Sequence, residues 1–290
     1  MRLMFGLIIV AAAVWLLGTP WSLPANARQP PPKASFVANL ANQHIKESSG
    51  VAASGIKKGI YWTHNDSGAK AELFAFDAAG KDLATFTLTG INARDWEDIA
   101  CARVDGKSYL YVGDIGDNLE DQRQVRIYRI PEPAIDDVKA VSNFDTYNVK
   151  YPDGPHNAEA LMVAPDGDIY IVTKNDFGDS GLYLLSKPDK SGTYTLEKSA
   201  QLKIEGGNVY SHRVTGGDIS PDGKSVVLRT YFSILLFRVN SIPGIAKVNP
   251  ISLPVPLERQ GEAICFDIEN DRLLTTTEGA PCRVSSITLP

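Results

Sequence analysis

Glu47, Glu97, Glu159 and Glu262 recur along the chain at like points of a repeated pattern, and three residues before each lies a base: His44, Arg94, His156 and Arg259. Thr215, preceded by His212, takes the remaining place. Carboxylates gathered in this way suit a hard cation such as Ca²⁺, which takes several carboxylate and carbonyl oxygens. They suit equally well a set of ion pairs with the neighbouring bases, since a charge is not buried alone. A residue found in almost every repeat is best explained by a job every repeat has, so these positions read first as architecture. A less regular set carries more information. Asp114-Ile-Gly-Asp-Asn118 places two carboxylates and an amide around a glycine and can wrap a cation, without the spacing of an EF-hand loop. Glu97, Asp114, Asp117 and Glu159 are therefore the expected metal ligands. His64, His156 and Lys174 are expected to move protons, and Asn65, Asn175, Arg229, Tyr231 and Glu278 to meet a substrate. The chain has no Gly-x-Ser-x-Gly elbow, no phosphate-binding glycine loop and no His-Glu-x-x-His helix, so serine-hydrolase, nucleotide-dependent and zincin chemistry lose their support.

Positioning these residues falls to a repeat. The segment from His156 to Gly167 aligns without a gap with that from His212 to Gly223, a spacing of 56. Each runs through Pro-Asp-Gly, a turn signal, into a β-rich stretch, Ile169 to Thr173 or Val226 to Thr230. Taking this hairpin as a ruler gives five units, starting near Glu47, Glu97, Glu159, Thr215 and Glu262 at spacings of 50, 62, 56 and 47. The first four continue into third and fourth strands, so each unit reads as a four-stranded antiparallel blade. The fifth ends after its third strand, Arg283 to Leu289, while Ser35 to Leu40 is a spare strand ahead of the first unit. Pairing the two closes a ring and removes two exposed edges. The expected fold is an all-β propeller of five blades. Six would need a unit hidden in the 62-residue spacing. First strands line the axis of such a ring, which brings the recurring acids to one channel mouth.

The ends of the chain set the compartment. Arg2, the apolar run Leu3 to Leu17 and Ala25-Asn26-Ala27 read as a secretory signal cleaved after Ala27. Its apolar core of about 15 residues is short of the roughly 20 that span hydrocarbon, so no stable membrane anchor is expected after cleavage. Residues 28–34 form a Pro-rich spacer and 35–290 a single domain, expected to be secreted or periplasmic and monomeric. Cys101, Cys265 and Cys282 are an odd number, so at least one stays unpaired or pairs between molecules; they form no disulfide framework and lack metal-ligand spacing. A bridge between Cys265 and Cys282 is not expected, because they fall on first and third strands about 9.5 Å apart. With 34 acidic against 29 basic residues, a net charge of -5 and no block of like charge, the chain offers a nucleic-acid backbone no footprint.

The fragments Asp95-Trp-Glu-Asp-Ile-Ala100, Val112-Gly-Asp-Ile-Gly-Asp-Asn118, Asn157-Ala-Glu-Ala-Leu161, Val214 to Gly223 and Gln260-Gly-Glu-Ala-Ile264 resemble those of a group of secreted bacterial β-propeller proteins. More distantly, the acid-led blade starts look like those of phytase-like, gluconolactonase-like and NHL-repeat propellers. In the first two groups a central acidic cluster holds a divalent metal that supports hydrolysis. The resemblance thus implies a secreted propeller, with Thr215 as the break in the acid ring. Two functions follow as expectations: a metal-assisted hydrolase of a phosphoester or lactone, or a non-catalytic propeller that binds a small ligand or an extracellular partner.

Overall fold

Alternation of apolar and polar residues, cut by Gly, Asp and Pro turns, makes nearly every segment of this chain a short strand with one or both faces to bury. The computed structural model describes residues 31–256 and 258–290, of which Pro32–Leu289 form a compact unit. The expected leader, residues 1–27, lies outside them, as do the first residues of the spacer. Among the described residues no helix is long and apolar enough to cross a membrane.

The strands form five sheets, and the chain is a five-bladed β-propeller. Blade 1 runs through Ser48–Ala53, Ile60–Asn65, Glu72–Asp77 and Asp82–Leu88. Blade 2 runs through Trp96–Val104, Lys107–Asp114, Val125–Pro131 and Asp145–Lys150. Ala158–Val163, Ile169–Thr173, Asp179–Leu185 and Glu197–Lys203 make blade 3. Blade 4 consists of Val214–Ile219, Ser225–Thr230, Ile234–Arg238 and Ile251–Leu253. Blade 5 takes Gly261–Phe266, Arg272–Thr277 and Arg283–Thr288 from the end of the chain and Ala34–Asn39 from its beginning. The last two pair antiparallel from Ala34 opposite Ile287 to Asn39 opposite Arg283, the expected closure. Five hydrophobic clusters, one between each pair of neighbouring blades, hold the ring.

The long second spacing hides no sixth blade. It holds an excursion in which Ala140–Val141 pairs in parallel with Thr87 and Leu88 on the outer strand of blade 1. Blade 3 repeats the device: Gly192–Thr195 leaves its own blade to pair in parallel with Tyr147 to Lys150 of blade 2. The run ahead of the fourth strand of blade 3 is therefore broken at buried Leu196. In blade 4 the same connection forms a 3₁₀ helix, Ile242–Lys247, whose Ile242 and Ile245 pack in the cluster between blades 3 and 4. Each outer strand so covered is no longer a free edge. Cys101, Cys265 and Cys282 are unpaired.

Candidate metal centre

The first strand of every blade carries a β-bulge at its start. The pairing register slips between Trp96 and Asp98, Ala158 and Ala160, Val214 and Gly216, and Gly261 and Ala263, each time leaving one extra residue. Those extra residues are Glu97, Glu159, Thr215 and Glu262. A bulge re-aims the side chain it adds and is common beside functional sites. In blade 1 the slip lies between Ser48 and Val51, so Ser49, not Glu47, occupies the equivalent place. The ring therefore reads Ser, Glu, Glu, Thr, Glu. Its two hydroxyls turn to the next blade, Ser49 donating to the Glu97 carbonyl at 2.8 Å and Thr215 to the Glu262 carbonyl at 3.4 Å. Glu47, exposed and one residue outside the strand, makes an isolated bridge to Glu278.

Around this ring the second-strand ends add Asp66, Lys174 and Glu278, while Asp95 lies just ahead of Glu97. Asp66, Asp95 and Glu97 bring one carboxylate oxygen each within 4.8 Å of one another. Beneath them runs Gly116, where a Cβ would run into Glu97 Oε1 and Asp95 Oδ2. Asp95 is fixed at both ends of its peptide unit: its N–H donates to Asp114 Oδ1 at 2.9 Å, and its carbonyl accepts from Gly116 N–H at 3.2 Å. Lys174 pairs with Glu159 and lies 3.4 Å from the Tyr231 hydroxyl. Asp66 Oδ1 and Glu159 Oε2 are buried with no hydrogen-bond partner among the described residues.

The balance of charge is one-sided. Against Asp66, Asp95, Glu97, Glu159, Glu262 and Glu278, the Lys174 ammonium pulls on Glu97, Glu159 and Glu262. Of the bases of the repeat, Arg94 pulls on Asp95 while lying 3.7 Å from Asp114, and His156 pairs instead with Asp153 at 3.0 Å. His212 meets the Gly206 carbonyl at 3.0 Å. Burial pushes the Glu97 carboxyl well up, and Glu159, Asp66 and Asp95 push it further. Burial carries Glu159 up to about 8 against the pull of Lys174. Glu278 rises to about 9 through burial and the charges of Glu262 and Asp66. Lys174 is raised: burial works against its charge, and Glu159, Glu262 and Glu97 outweigh it.

Of the expected metal ligands, Glu97 and Glu159 stand at this mouth. Asp114 and Asp117 do not join them. Asp114 is fully buried behind Asp95, with Arg94 and Arg126 at 3.7 and 3.8 Å. Asp117 closes its own turn, accepting from the N–H groups of Asp121 at 3.1 Å and Gln122 at 2.9 Å. The Asp-Ile-Gly-Asp-Asn segment thus braces the acids, and its contribution is the bare Cα of Gly116.

Of the expected proton carriers only Lys174 is here. His64 is fully buried, its ring edge-on to Trp96 at 5.7 Å, with burial lowering its pKa and its Nε2 without a hydrogen-bond partner among the described residues. His156 sits in a surface network, 2.9 Å from the Tyr183 hydroxyl. Among the expected substrate residues, Tyr231 and Glu278 are at the mouth. Arg229 is fully buried between blades 4 and 5, bound to Glu258 at 2.6 Å and to the Ala263 carbonyl at 3.3 Å. Asn65 ties down the entry to blade 1, accepting from Lys46 N–H at 2.8 Å and donating to the His44 carbonyl at 2.8 Å. Asn175 accepts from Phe177 N–H at 2.7 Å and, with Lys174, lines a polar cleft of about 330 Å³ beside the acids. Asp95, two residues before Glu97 and just outside the strand, carries no signal in the repeat, where Asn157, Arg213 and Gln260 stand at the like positions of blades 3 to 5.

The sequence matches no protein-family model and no curated relative. Among solved structures, the PQQ-bound form of an aldose sugar dehydrogenase from Streptomyces coelicolor is similar, with a TM-score of 0.51 and 11% sequence identity. The match covers 89% of this chain and 98% of that one. At that identity the likeness shows the propeller fold alone.

Proposed function

We propose that the channel mouth holds a divalent cation, and that the protein is an exported metal-assisted hydrolase of a phosphoester or lactone. The observation that carries this is the convergence of Asp66, Asp95 and Glu97 over a glycine, with two buried carboxylate oxygens nearby left without a partner. An all-carboxylate donor set suits a hard ion, Ca²⁺ first. Asp66, Asp95 and Glu97 would hold it, with Glu159 turned toward them. When bound, the cation supplies Lewis-acid polarisation of an ester or phosphoryl oxygen. Lys174, kept charged by its acidic neighbours, would bind the substrate's anionic oxygen. Glu159, its carboxyl raised by burial to about 8 and paired with Lys174, is placed to exchange a proton with the reacting group. The secretory signal expected in residues 1–27 supports this reading, since an exported protein would need only a weak Ca²⁺ site of the kind extracellular modules use.

A second reading rests on one further observation. Phe177 and Phe232, on loops of blades 3 and 4, are 83% and 57% exposed, and Tyr210, on the short helix Val209–His212 between those blades, is 50% exposed. Phe177 lines the cleft that Lys174 shares, and Tyr210 packs on Tyr231 at 5.9 Å. Exposed aromatic side chains gathered at a cleft mark a surface that binds a ligand or partner. Melting curves with Ca²⁺ and with chelator, followed by a screen of p-nitrophenyl phosphate and a γ-lactone, decide between them. Stabilisation by Ca²⁺ with Ca²⁺-dependent turnover supports the hydrolase; stabilisation without turnover leaves a binding propeller. Melting that ignores both Ca²⁺ and chelator contradicts the metal site itself.

A further inference from the structure

The far end of the axis is built differently. All five first strands finish around a cavity of about 140 Å³ there, lined by Ala53, Cys101, Val163, Ile219 and Phe266, one from each blade, and by Asp218. Val163, Ile219 and Phe266 are buried, whereas Ala53, Cys101 and Asp218 keep partial exposure, so the space is reachable. Apolar cavities of about 150 Å³ stay dry and take up benzene-sized guests. Asp218 is the one acidic side chain on the lining. Its Oδ1 accepts from Ile219 N–H at 2.8 Å and its Oδ2 from Phe266 N–H at 2.9 Å, which ties blade 4 to blade 5. Each carboxylate oxygen has a second lone pair, so acceptor capacity remains for a guest. Asp98 is fully buried close by, and burial pushes its carboxyl well above the ordinary range, toward the neutral form. Arg103 also lines the cavity, at its exposed edge, where its guanidinium is held by the carbonyls of Gly55 and Gly106 at 3.2 Å each.

We propose that this cavity is a second ligand site, for a neutral molecule with one small apolar ring and a single hydrogen-bond donor that reaches Asp218. It is separate from the acid mouth and does not depend on a cation. An anionic ring is disfavoured, since it would meet Asp218 with like charge. The Cys101 thiol, pushed up by burial and by Glu132, stays protonated and acts as apolar wall.

Saturation-transfer NMR on the whole protein at pH 8, with chelator present, tests this with phenol and benzoate as probes. Phenol is expected to bind saturably and benzoate at least ten-fold more weakly. Ala53→Phe, which grows from a partly exposed position into the cavity, should abolish the phenol signal, and Val163→Phe serves as an independent filling variant, each with a melting curve to confirm folding. Absence of phenol binding to the wild type, equal binding of benzoate, or phenol binding that persists in the folded filled variants overturns the proposal. The phenol–benzoate comparison needs no variant and decides the matter if neither filled variant folds.

Discussion

Single carboxylates divide into those that face the mouth, such as Glu97, and those that brace it, such as Asp117. Glu97→Gln is expected to remove Ca²⁺ binding with the melting temperature in chelator unchanged or raised, since it deletes a charge that burial and three neighbouring acids disfavour. Gly116→Ala should also abolish binding, because the new Cβ takes the space of Asp95 and Glu97. Asp117→Ala should do the reverse, costing about 1–3 kcal/mol for the turn N–H groups it leaves unpaired while Ca²⁺ still binds. Calorimetric titration and denaturant melts of the three variants check these outcomes. The acids also set a pH dependence. Glu159 and Glu278 are held at about 8 and about 9 against an ordinary 4.5, so the folded state binds more protons than the unfolded one across that interval. Their contribution to stability is fully present below about 4.5 and is lost as pH rises through 8 to 9. In chelator the melting temperature should therefore fall from pH 6 to pH 9. A bound cation favours the ionised carboxylates and should flatten the slope, with protons released on binding.

At the scale of elements, the blades depend on ties between neighbours more than on any one strand. Arg229 and Glu258 are both shielded from solvent, so Arg229→Met leaves a buried carboxylate without its partner and should cost about 3–5 kcal/mol. Adding Glu258→Gln should recover most of that loss in urea melts. The closing strand Ala34–Asn39 is largely exposed and contributes through backbone pairing and through Leu40, which is buried beside it. Deleting residues 34–41 should lower the melting temperature and leave the edge of Arg283–Thr288 free to recruit another chain. Sedimentation at several concentrations would show the resulting association, and a deletion that melts and sediments like the full chain contradicts the closure. The element pattern was legible in the sequence because Pro-Asp-Gly turns and period-2 runs are local signals. The parallel stitches Ala140–Val141 and Gly192–Thr195 were not, since their partners lie in another blade.

For the molecule as a whole, ring count, closure and the gathering of acids at one mouth follow from the repeat, and the repeat is visible in sequence spacing. Side-chain direction is less visible. A one-residue bulge decides which residue faces the axis, so blade 1 presents Ser49 where spacing pointed to Glu47. Burial is hidden too: Arg229 and His64 look like ligands in a string of letters and are fully enclosed in the fold. Asp114 and Asp117 carry the right chemistry, yet backbone N–H groups claim their oxygens. What remains is a mouth whose negative charge exceeds its internal compensation, and that excess is the basis of the functional reading. The most direct measurement is anomalous diffraction from a crystal soaked in Mn²⁺ as a stand-in for Ca²⁺. A single peak about 2.0–2.6 Å from oxygens of Asp66, Asp95 and Glu97 is the predicted result. A mouth with no peak, or a peak only at the exposed turn of Asp267, Glu269 and Asp271, would contradict the account.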